Sequence, residues 1–213
     1  MKAPTDIFAK HLPVRVVLLT GPMGSGKSCA ARSFQQLGVP VSEADLLARA
    51  IHQDPQHPVM EQIAQELPQL LTEDGCLRRG SLRTVLTHDA HANRRLLCLL
   101  KPHVLAAIRQ WTVQQTAPYV IWETALLPDE PGRFMYDSAL LVHADAQIRL
   151  RRVRQRNPDW TETDITQVFN MQATLDQYRE YADAEIINHG SIVELEQAVL
   201  QQHLTFMSHW STQ

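Results

Sequence analysis

Residues 20–28 read TGPMGSGKS and follow the apolar run VRVVLL at 14–19. Gly21, Gly26, Lys27 and Ser28 fit the spacing G-x-x-x-x-G-K-[ST], in which glycines let the backbone close around phosphate oxygens with its N–H groups turned inward. Residues 14–19 are β-branched and apolar except for Arg15, and Pro13 and the Gly21-Pro22 turn bound them, which suits a buried strand. On the other side KSCAARSFQQL, 27–37, keeps Ala30, Ala31, Phe34 and Leu37 roughly on one face, and Gly38 closes it as a C-cap. Strand, glycine loop and helix in this order aim the helix's positive end at bound phosphate. The backbone of Met23, Gly24, Ser25, Gly26, Lys27, Ser28 and Cys29 would then cradle the phosphates of ATP or GTP. Lys27 would reach the β- and γ-phosphates, and the Ser28 hydroxyl would coordinate Mg²⁺.

Outward from the loop, strands alternate with helices. VPVS at 39–42, YVIW at 119–122, ALLVHA at 139–144 and AEIIN at 184–188 read as further strands, and ADLLARAIHQ opens a second helix stopped by Pro55. Residues 56–117 are mostly helical in pattern, with a turn at 72–77 and a long helix containing Pro102. A single helical stretch is expected over about 162–182. The fold class is therefore α/β, a parallel sheet covered by helices on both faces. Residues 1–13 read as an extension before one domain spanning 14–207.

Composition narrows the partners. A formal net charge of -3 argues against a general nucleic-acid-binding surface, which needs a basic excess to displace counterions. No segment approaches the length of a membrane span and the N-terminus lacks a signal-peptide core, so a cytoplasmic protein is expected. Three cysteines without metal-ligand spacing suit a reducing compartment. Nothing in the pattern sets an oligomeric state. Basic charge is local: five arginines fall within RLRRVRQR, 149–156, open to reading as a solvated helix face or as phosphate capture.

The second strand runs into SEADLLARA, 42–50, placing Glu43 and Asp45 where a parallel strand ends, the side on which open α/β sheets bind ligands. Arg49 follows Asp45 by one helical turn. A carboxylate able to take a hydroxyl proton, beside a cation able to hold an anion, is what phosphoryl transfer to an alcohol requires. An N-capping Asp with an i,i+4 ion pair is the structural alternative.

LLTGPMGSGKS, LGVPVSEADLLAR, DGCLRRGSLR, LLKPHV, YVIWETALL, RLRRVRQR and INHG together resemble, in order and spacing, the motifs of the dephospho-coenzyme A kinase family. The resemblance covers roughly residues 14–205 and implies a P-loop kinase core of about five parallel strands (14–55 and 117–207). It also implies a helical substrate subdomain at about 56–116 and a lid at about 149–165. The activity it implies is transfer of the γ-phosphate of MgATP to the ribose 3′-hydroxyl of dephospho-CoA, the last step of coenzyme A synthesis. On that likeness Asp45 orients or deprotonates the hydroxyl, Arg49, Arg79 and Lys101 hold the acceptor, Arg156 and Arg152 close on ATP phosphates, and Asn188 and Gly190 line the adenine. Arg149, Arg151 and Arg154 are expected on a solvated face.

The chain departs from the family pattern in places. Lys101-Pro102 stands for the usual His-Pro, Ala125 for the proline of P-L-L, Asn157 for the Asp after the lid arginine, and the acidic residue after P-L-L is displaced among Asp129 and Glu130. Glu123 stands where an apolar residue is expected, and reads as facing solvent in preference to supporting Mg²⁺ through water. Two other readings are a kinase of the same fold with another acceptor and a non-catalytic P-loop switch. The second lacks the N-K-x-D motif of a switch GTPase and an ATPase-type Walker B strand.

Overall fold

A computed structural model describes residues 12–78, 89–127 and 135–211. Its five strands are β1 (Arg15–Thr20), β2 (Val41–Glu43), β3 (Tyr119–Glu123), β4 (Ser138–His143) and β5 (Ala184–Ile187). They form one parallel sheet in the order β2-β3-β1-β4-β5. Helices on both faces leave the central strands no solvated side, which is why RVVLLT, YVIWE and SALLVH are near-continuous apolar runs without alternation. β1 is the centre. From it the chain runs to β2 and back to β3 on one side, then crosses to β4 and β5 on the other, and this reversal opens a crevice beyond the strands' carboxyl ends.

The described residues of Met1–Glu43, Gln110–Asp159 and Gln172–Gln213 form one compact unit, and those of Ala44–Arg109 and Trp160–Met171 form a second. In the first, α1 (Lys27–Gln36) and the C-terminal helix α8 (Ile192–Ser211) cover the sheet, burying Ala30, Ala31 and Phe34 with Leu195, Val199 and Phe206. The same unit carries α5 (Ala146–Arg156) and α7 (Leu175–Tyr181). The second unit begins at the first residue of α2 (Ala44–Gln53), includes α3 (Pro58–Glu66), the part of α4 (Ala90–Thr112) up to Arg109, and takes in α6 (Glu162–Met171). Ile51, Val59, Ile63, Leu96 and Leu100 form its core, and His57 caps α3 by accepting the Val59 N–H at 3.3 Å. α4 continues through Pro102 for 23 residues.

The helical stretch expected over about 162–182 is two helices. Thr174 and Gln177 form a reciprocal capping box: Thr174 Oγ1 accepts the Gln177 N–H at 3.2 Å, and Gln177 Oε1 accepts the Thr174 N–H at 2.8 Å. The local competition of a T-x-x-Q start with helix continuation breaks the segment at 172–174.

Candidate active site

The loop after β1 has the shape its glycines permit. Gly24 and Gly26 sit at φ 80° and 96°, a region that side chains rarely tolerate. A Cβ on Gly26 would collide with the Asn188 amide, and one on Gly24 would lie 2.7 Å from the Arg149 carbonyl oxygen. Gly26 is also the N-cap of α1, its carbonyl accepting from Cys29 at 2.9 Å and Ala30 at 3.0 Å. The N–H groups of Lys27 and Ser28 precede those bonds, at positions a helix leaves without internal partners. Thr20 Oγ1 and Ser25 Oγ are buried and hydrogen-bond to nothing among the described residues. A helix N-terminus and two hydroxyls without a partner among the described residues compose an anion cradle.

Beside it, Glu123 ends β3. Its Oε1 lies 2.7 Å from Lys27 Nζ and accepts the Ser28 hydroxyl at 2.8 Å, and its side chain is 5 % exposed against 10 % for Lys27. The expectation that Glu123 faces solvent is wrong. Parallel register sets Glu123 beside Leu19 on β1, so its carboxylate meets the first residues of α1, while Glu43 of β2 is its neighbour on the other side. Glu123 is the functional candidate that the sequence reading raised and set aside. The available signal was that the last residue of a central parallel strand lies at the ligand crevice.

The arginine helix divides by face. Arg151, Arg154 and Arg156 are exposed, whereas Arg149 is half-buried, its Nε donating to the Met23 carbonyl at 2.9 Å. A solvated face is therefore wrong for Arg149, whose guanidinium burial draws its pKa down. Arg152 Nη1 donates to the carbonyls of Asn188 (3.1 Å) and Ser25 (3.4 Å). Asn188, itself buried, donates from Nδ2 to the Ser25 carbonyl at 2.8 Å and from its backbone to His143 at 2.7 Å. At Gly190 the Glu194 carboxylate, held by Ser191, lies where a Cβ would stand, so a side chain there would displace it.

In the second unit Asp45 is exposed in the first turn of α2, with Arg49 exposed one turn later, and Lys101 is half-buried in α4. Arg79, Asp129 and Glu130 lie outside the described residues. Among the described residues no group of three or more His, Cys, Asp and Glu side chains is arranged to hold a metal, and no helix is long and apolar enough to cross a membrane.

The dephospho-CoA kinase family model matches residues 15–194. The chain belongs to the dephospho-CoA kinase family. Curated relatives of that name include one from Escherichia coli K12, 31 % identical over 193 residues that cover 90 % of this chain and 93 % of the relative. Another, from Salmonella paratyphi A, is 32 % identical over 90 % of this chain and 92 % of its own. A crystal structure from Thermus thermophilus superposes with a TM-score of 0.73 at 27 % identity, covering 90 % of this chain and 97 % of that one. A dephospho-CoA kinase structure from Campylobacter jejuni shares the fold at TM-score 0.56 and 18 % identity, over 90 % and 97 % of the two chains.

Of the departures of this dephospho-CoA kinase family member from the family pattern, that at Asn157 has a local physical account and that at Ala125 has none. The Ala125 carbonyl accepts the Tyr178 hydroxyl at 2.6 Å, a bond equally open to a proline, and burial pushes that hydroxyl's pKa up to about 12. The strand end is thus tied down by α7. Asn157 is the C-cap of α5, and its Nδ2 donates to the Val153 carbonyl at 2.9 Å, a bond that an ionised Asp has no proton to make.

Proposed function

We propose that the chain transfers the γ-phosphate of ATP to the ribose 3′-hydroxyl of dephospho-CoA, giving coenzyme A and ADP. The observation that carries the reading is the Lys27–Glu123–Ser28 cluster at the foot of the glycine loop, which holds the lysine and the hydroxyl at the loop's mouth. Phosphoryl transfer asks little covalent chemistry of the protein and much positioning and charge stabilisation. The loop N–H groups and Lys27 hold the donor phosphates. Arg156, exposed at the C-terminal end of α5, closes on them from the lid, bringing a permanent planar charge to the oxygens on which negative charge develops and excluding water. Asp45 orients the acceptor hydroxyl and takes its proton, and Arg49, Arg79 and Lys101 hold the acceptor's anionic groups. Asn188 and Gly190 shape the adenine end. On this reading residues 14–207 are one kinase domain with a helical acceptor subdomain and a lid, and the enzyme works in the cytoplasm.

A hard divalent cation fits the residues present, since Ser28 Oγ and Glu123 Oε1 are adjacent oxygen donors. Mg²⁺ held by Ser28, with Glu123 beside it, would supply charge neutralisation between the β- and γ-phosphates.

The test is ADP release by purified protein with MgATP, with and without dephospho-CoA, beside a panel of nucleosides and sugar alcohols. Selective stimulation by dephospho-CoA is expected. Stimulation by a different alcohol alone would move the acceptor, and none by any acceptor would leave a nucleotide-binding protein.

A further inference from the structure

The glycine loop is gripped from outside by side chains that the transfer reaction does not use. Met23 N–H donates to Gln172 Oε1 at 3.1 Å, the Met23 carbonyl accepts from Arg149 Nε at 2.9 Å, and Arg149 Nη2 donates to the same Gln172 Oε1 at 3.2 Å. The three groups close a ring. Its members come from the loop, from α5, and from the break between α6 and α7 that the capping box enforces. The contact is tight, since a Cβ on Gly24 would also lie 3.0 Å from Val153 Cγ2 of α5.

The direction of these bonds decides their consequence. Among the described residues no peptide is cis, and in a trans peptide unit the carbonyl and the following N–H point opposite ways. A Met23 carbonyl drawn outward to Arg149 therefore turns the Gly24 N–H inward. A Ser25 carbonyl drawn to Asn188 and Arg152 does the same for Gly26. Met23 N–H, by contrast, is already engaged by Gln172.

We propose that Arg149 and Gln172 are positioning residues for the nucleotide: their clamp on the Met23 peptide aims the Gly24 N–H at the phosphates and fixes the loop to the helix that carries Arg152 and Arg156. This rests on the nucleotide-binding reading above. The clamp needs a planar fork that serves two acceptors at once, which a lysine cannot supply.

The test is ATP affinity by titration calorimetry, together with exchange of the Met23 amide. Arg149→Met and Gln172→Leu are expected to weaken ATP binding roughly tenfold, the scale of one hydrogen bond to a charged group, and to speed Met23 exchange. Arg149→Lys recovers little of the loss. Gln172→Glu, which keeps the acceptor, binds ATP several-fold tighter than Gln172→Leu; a merely structural role predicts no such rescue. ATP affinity within twofold of native in both Arg149→Met and Gln172→Leu overturns the clamp, as does a Gln172→Glu no better than Gln172→Leu. If Arg149→Met does not fold, the Gln172 pair decides. A native chain that binds no ATP overturns the nucleotide reading itself, whereas native binding with unshifted variants overturns the clamp alone.

Discussion

Glu123→Gln isolates the charge of the acid beneath the glycine loop. The substitution keeps the shape and an acceptor oxygen for Ser28 and Lys27, and removes the negative charge 2.7 Å from Lys27 Nζ. With both side chains at least nine-tenths buried, the near-zero value of surface ion pairs does not apply. At an effective dielectric of about 20 the bare attraction is about 6 kcal/mol, but the carboxylate's own desolvation offsets much of it. Because the hydrogen bonds survive, the net loss should be about 2–3 kcal/mol, or a fall in Tm of roughly 5–10 °C. Saturating ATP without Mg²⁺ should shrink that deficit, because phosphate replaces Glu123 as the counter-charge of Lys27. Differential scanning fluorimetry with and without ATP reads both effects. A ligand-free Tm within about 1 °C of native would show that the pair contributes nothing. A deficit untouched by ATP would remove Lys27 from the phosphate site.

Other consequences are as direct. Asp45→Asn should nearly abolish turnover while ATP affinity stays within a few-fold, and equal loss of both would place Asp45 on the nucleotide. Tyr178→Phe strips the hydroxyl from the Ala125 carbonyl and should cost about 1–2 kcal/mol in urea unfolding with little change in ATP affinity. Burial holds His103 below 6.5, with His57 adding to the effect, and burial holds His203 below 6.5 as well. The unfolded chain then binds more protons than the folded one between those depressed values and 6.5, so stability is full above that window and falls as pH drops through it. Tm measured between about pH 7.5 and about pH 5 should decline, and His103→Gln or His203→Gln should flatten the slope.

The central part of the fold is legible in the sequence because its signals are local. An apolar run, glycines at fixed spacing and an amphipathic helix state strand, loop and helix within 24 residues, 14–37. The family's motif order then supplies the sheet. Glu123 was not legible for the opposite reason: its partners Lys27 and Ser28 are 96 and 95 residues away, and only strand register brings them to it. Arg149 lay in between. Its spacing to Arg152 puts the two on one face, but a helical period does not say whether that face meets solvent or a loop. The break before α7 was encoded in T-L-D-Q, where an apolar period on either side masked a capping box.

The most direct test of the central claim is to identify the product. Native protein incubated with MgATP and dephospho-CoA should convert the acceptor to coenzyme A, seen by mass spectrometry as gain of one phosphoryl group and by phosphorus NMR as a 3′-phosphomonoester. ATP hydrolysis without modification of dephospho-CoA, or a phosphoryl group at another position, would contradict the account.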